Sequence, residues 1–84
     1  MISRTFLRKL LLSAGAKKVS QEAVETLEQV LTEVASEISI GAVEVANTSS
    51  RKTVRRNDVL TSYKIFTRAL KFVEKTRGKE DVEG

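Results

Sequence analysis

The 84-residue chain has no cysteine, no histidine and no proline. Without cysteine there is no disulfide and no thiolate, and without histidine the usual imidazole ligand and base are gone. That removes the commonest metal sites and nucleophile–base pairs, so the sequence reads as a non-enzyme with no metal and no cofactor. Aromatic residues number only three Phe and one Tyr, too few for a platform on which single-stranded bases stack. Long apolar runs are also missing. The longest near the N-terminus is Leu10-Leu11-Leu12, far short of a signal-peptide core or a membrane span. The sequence thus predicts a soluble, intracellular protein whose partners include neither a membrane nor a small-molecule substrate.

What is present is one long helical pattern. Over residues 20–48, Ala23, Val24, Leu27, Val30, Leu31, Val34, Ile38, Ala42 and Val45 trace one stripe of a 3.6-residue helix, and no proline interrupts it. Ser20 is placed to cap the N-terminus, with Glu22 and Glu25 complementing the helix dipole. At about 1.5 Å per residue the helix spans roughly 40 Å, more than twice the reach of an average globular helix.

The flanks are shorter. Residues 3–13 read as an amphipathic helix with Phe6, Leu7, Leu10 and Leu11 on its apolar face and Arg4, Arg8 and Lys9 outside it. Gly15 is placed for the left-handed residue that ends such a helix, and Val19 for an inward staple before the Ser20 cap. After the long helix, Asn47, Thr48, Ser49 and Ser50 favour a turn, and residues 51–54 a short extended piece. A third helix is expected from Arg55 or Arg56, with Asp58 in its first turn. Val59, Tyr63, Phe66, Leu70 and Val73 carry it to about Thr76, where Gly78 ends it. This predicts an all-α fold: one domain over residues 1–78, then a polar tail, 79–84.

The formal charge is +4, unevenly distributed. Residues 1–18 hold five bases and no acid, the long helix six acids and no base, and residues 51–71 seven bases against Asp58 alone. The acids read as a solvated face, and the positive charge sits on the two flanks. Two short flanking helices cannot cover a central helix of this length, and 84 residues is near the size where one core is marginal. The economical arrangement is two chains whose long helices cross and share a core, with Leu27, Leu31, Val34, Ile38 and Phe66 in it. The first loop of one chain then lies beside the second loop of the other, where short extended pieces can pair.

The stretch AGAKKVS at residues 14–20, the long central helix and RKTVRRNDV at 51–59 together resemble a histone-fold protein, most closely an archaeal histone. The resemblance extends without a gap from about Lys9 to Phe66. It implies an intertwined handshake dimer that binds and bends duplex DNA without reading sequence, located in the cytoplasm on the nucleoid or chromosome, or in a nucleus. It places DNA contacts at Lys9, at Lys17 and Lys18 in the first loop, and at Arg51, Lys52 and Thr53 in the second. Lys9 and Lys18 would face the minor groove, and Lys52 and Thr53 the phosphates. Arg55 and Arg56 could add charge nearby. Arg51 resembles the family's structural arginine, paired with Asp58.

The chain departs from the family at Thr48, where archaeal members carry a histidine used to stack dimers, and at Thr61, where they carry a leucine. The third helix is also longer. These departures keep a second reading open: a histone-fold subunit whose main role is to heterodimerise within a transcription or chromosome-associated complex. Whether the partner is a second copy or a different histone-fold chain is not set by the sequence.

Overall fold

In the computed structural model the described residues are 2–83, with side chains for residues 2–76. Among them there are three helices and no strand: α1 (Arg4–Ser13), α2 (Gln21–Thr48) and α3 (Arg56–Glu83). The all-α expectation is met. The chain divides into two units, Met1–Ser36 and Glu37–Gly84, with the division falling inside α2.

In the first unit, α1 is capped by Ser3, whose hydroxyl accepts from the backbone N–H of Phe6 at 3.2 Å. It ends in a Schellman turn: the Ala16 N–H reaches the Leu11 carbonyl at 3.2 Å and the Gly15 N–H the Leu12 carbonyl at 3.1 Å. Gly15 sits at φ +118°, which favours glycine. Ser20 caps α2 as expected, its hydroxyl accepting from the Ala23 N–H at 3.1 Å. Leu7 and Val24 are fully buried and Val19 and Leu11 half-buried, whereas Phe6 and Leu10 of the expected apolar face stay exposed. A ten-residue helix shows only a narrow line of side chains to one neighbour, so a four-residue face is not all covered within a single chain. Two acids of α2 are not simply solvated. Arg4 lies 3.3 Å from Glu28 and 3.6 Å from Glu25.

In the second unit, α2 meets α3 through small side chains. Ala42 and Ala46 are buried, and Gly41 faces Ser62, whose hydroxyl donates to the Ile38 carbonyl at 2.8 Å. A Cβ on Gly41 would overlap that hydroxyl and lie 3.2 Å from the Ser62 Cβ. Glycine is needed here for close helix approach.

Helix α2 closes in a second Schellman turn. The Arg51 N–H reaches the Ala46 carbonyl at 3.0 Å and the Ser50 N–H the Asn47 carbonyl at 2.9 Å, with Ser50 left-handed at φ 57°. Asn47 and Thr48, expected in the turn, are the last helical residues, and Thr48 bonds its hydroxyl back to the Glu44 carbonyl at 2.9 Å.

Two further expectations are corrected. Residues 51–54 form a bent loop, not an extended piece, because the Arg51 side chain folds back onto its own loop. Helix α3 runs through Gly78 to Glu83 instead of stopping there. A glycine inside a helix costs about 1 kcal/mol relative to alanine, a penalty that good helix formers on both sides and the absence of proline can carry. The side chains of the expected tail lie outside the described residues.

The apolar stripe of α2 is incompletely covered within one chain. Val24 and Ala42 are buried, and Leu27, Leu31, Val34, Ile38 and Val45 are half-buried, as is Phe66 on α3. Val30 and Ile40 are about half exposed, at 48% and 57%.

Candidate nucleic-acid interface

The second loop is built around one ion pair. The Asp58 carboxylate accepts from both terminal nitrogens of Arg51, at 2.8 and 2.7 Å, and from the Arg55 backbone N–H at 2.7 Å. Asp58 is the third helical residue of α3 and Arg55 its N-cap, so the carboxylate reaches back as the acid of a capping box does. It also tethers Arg51, which closes the end of α2, to the start of α3. A further Arg51 bond to the Thr53 carbonyl, at 3.3 Å, folds the loop. Asp58 is 1% exposed. The Arg51 hydrogen bonds and then the Arg55 N–H hold its carboxyl at about 2, below the ordinary 3.8 and against the opposing effect of burial. Asp58 in turn raises the Arg51 guanidinium further.

On this scaffold Lys52, Thr53, Arg55 and Arg56 all stand exposed. Arg51 is different, since its guanidinium is consumed by Asp58 and Thr53 and its side chain is only 26% exposed. The structural pair is therefore present.

In the first unit, the loop between α1 and α2 is held by its Schellman turn, by the Ser20 cap and by Arg8, which donates to the Val19 carbonyl at 2.8 Å. Lys17 and Lys18 project from this loop, and Lys9 from α1, all exposed. Among the described residues, Lys9, Lys17, Lys18 and Lys52 make no side-chain hydrogen bond or ion pair, whereas Arg4 and Arg8 are both engaged. The cations thus separate into three tethered arginines, Arg4, Arg8 and Arg51, that shape the units, and exposed cations, Lys9, Lys17, Lys18, Lys52, Arg55 and Arg56, open to an anion.

Three contributors escape the sequence reading. Arg8 counts there only as surface charge, yet it braces the first loop; nothing in its spacing signals a bond to a carbonyl eleven residues on. Gly41 and Ser62 set the approach of α3 to α2, and the pairing of small residues is legible only once both helices are placed. No helix among the described residues is long and apolar enough to cross a membrane.

Comparison with known proteins agrees with this layout. The sequence matches the family described as histone-like transcription factor (CBF/NF-Y) and archaeal histone over residues 5–62, which takes in all of α1 but its first residue, both loops, α2 and the first turns of α3. A curated relative, one of the subunits of archaeal histone HAN1 from Thermococcus zilligii, is 39% identical over 56 residues, covering 67% of this chain and 84% of that protein. With the matched segment covering more than half of the chain, including α2 and both scaffolded loops, the chain belongs to the family of histone-like transcription factors and archaeal histones.

Proposed function

We propose that the chain is an architectural chromosomal protein that forms a handshake dimer and wraps or bends duplex DNA without reading its sequence. The observation that carries this reading is the pair of rigidly built loops whose exposed lysines, Lys17, Lys18 and Lys52, have no partner within the described residues. In a dimer, the first loop of one protomer adjoins the second loop of its partner, and the two sets of lysines combine into one phosphate-binding surface. Thr53 and the first backbone N–H groups of α3 add donors at a helix N-terminus. Arg55 and Arg56 add charge, Lys9 and Lys18 approach the minor groove, and Arg51 acts by holding the loop in shape.

Dimerisation is supported by uncovered surface. Leu27, Leu31, Val34, Ile38 and Phe66, half-buried in one chain, are the residues a partner would cover.

The test is the light-scattering mass of the purified chain, alone and with a random duplex of about 60 base pairs at low and moderate salt. A dimer that loads onto the duplex and is released by salt supports the proposal. A chain that is stable and indifferent to duplex at low salt removes it.

A second reading, a subunit that pairs with a different histone-fold chain, is favoured by one feature. Helix α3 runs well past the family match and leaves Leu70, Phe72 and Val73 at least half exposed. It predicts that the chain alone aggregates or stays unfolded until that partner is added.

A further inference from the structure

Lys64, Arg68, Lys71 and Lys75 follow one another along α3 at steps of four, three and four. At about 100° per residue they fall within an arc of roughly 60° on one side of the helix. All four are exposed, and none forms an ion pair among the described residues. Glu74, the nearest acid, lies roughly 60° outside the arc. The ridge stands wholly beyond residue 62, where the family match ends.

This charge pattern is not what a merely wet helix face requires. Each step of the ridge is a like-charged pair at i,i+3 or i,i+4, which weakens the helix slightly, whereas alternating signs would strengthen it. The apolar stripe of α3, running through Val59, Tyr63, Phe66, Leu70 and Val73, is centred roughly 150° away around the helix. Covering that stripe does not by itself cover the ridge, although exposed Ile65 and Phe72 lie on the helix between the two. The same sign also continues from the second loop: from Lys52 to Lys75 the only acids are Asp58, consumed by Arg51, and Glu74.

We propose that this ridge is an additional duplex-DNA contact, a row of cations laid along the phosphate backbone beyond the loop surface. It rests on the DNA-binding reading above. The ridge is about 16 Å long, a length of duplex axis that carries roughly ten phosphate charges. A straight row of four cations on a rigid helix matches such a line of charge with no demand on base sequence.

The test uses the full chain and the variant Lys64→Gln/Arg68→Gln/Lys71→Gln/Lys75→Gln, since glutamine keeps side-chain length and helix propensity. Anisotropy of a labelled random duplex is followed across a salt series. The expected result is weaker binding at low salt by about tenfold or more, with the slope of log affinity against log salt shallower by roughly 2–4. The companion Lys64→Arg/Lys71→Arg/Lys75→Arg should keep the wild-type slope, and helical spectrum and solution mass should match wild type in both. A glutamine variant with unchanged affinity and slope overturns the proposal. So does one with unchanged slope but altered solution mass, which would assign the ridge to an acidic protein face. If the wild-type chain shows no salt-sensitive duplex binding, the loop reading fails and the ridge with it; if only the ridge fails, wild type and variant bind alike.

Discussion

The two terminal nitrogens of Arg51 meet the two carboxylate oxygens of Asp58 at 2.8 and 2.7 Å, and the same carboxylate caps α3 through the Arg55 N–H. One buried acid therefore joins the end of α2 to the start of α3. Asp58→Asn keeps the shape but removes the charge, leaving Arg51 without its counterion. Thermal melts at fixed protein concentration should show a loss on the order of 10 °C. Arg51→Lys, which cannot make the two-pronged contact, should fall between that variant and wild type.

The pair also sets a pH dependence. The folded Asp58 carboxyl titrates at about 2, below its ordinary 3.8. Its stabilisation is complete above the higher value and is lost as pH falls through the lower one. The gap in melting temperature between wild type and Asp58→Asn should be constant near neutrality and close between about pH 4 and pH 2. A gap that persists at about pH 2 would show that the pair does not act through this ionisation.

Gly41→Ala opposes two tendencies. Helix propensity favours alanine by about 1 kcal/mol, but the new Cβ overlaps the Ser62 hydroxyl. Displacing that hydroxyl breaks its bond to the Ile38 carbonyl and pushes α3 from α2. Overpacking should win, with a net loss of about 1–2 kcal/mol in denaturant melts. Adding Ser62→Ala should recover much of it, a non-additivity that places the clash at this contact.

The two helix-ending turns respond in opposite directions. Ser50 holds φ 57° with a side chain attached, so Ser50→Gly should stabilise by about 0.5–1 kcal/mol. Gly15 holds φ +118°, and a Cβ added there would meet nothing within 4 Å, so the loss in Gly15→Ala is backbone strain alone. It should be about 1 kcal/mol or more.

Lys18→Glu and Lys52→Glu should each weaken binding of any duplex to a similar degree whatever its sequence, with the helical spectrum unchanged. Gel mobility shifts on two unrelated duplexes check this. A variant that binds as wild type does would take that lysine out of the DNA surface.

The central helix was legible because its signal is one-dimensional. A stripe at steps of three and four, a serine at the cap and no proline specify a long helix from local preferences, and Ser20 caps it as read. Gly15 was legible for the same reason, since a left-handed helix end calls for glycine. Arg51 and Asp58 could be paired only through resemblance to a family; seven residues apart across a loop, no periodicity connects them. Their joint hold on both helix ends came with the fold, as did the bracing of the first loop by Arg8.

The extent of α3 shows the limit of local signals, because Gly78 is a weak stop whose outcome depends on the residues around it. Sequence by itself determined the helices, most of their ends and the segregation of charge, all properties of near neighbours along the chain. Tertiary structure decided which cations are tethered and which are open, where α3 touches α2, and which apolar residues stay uncovered. Those depend on contacts between residues distant in sequence, which become physical only when the helices pack.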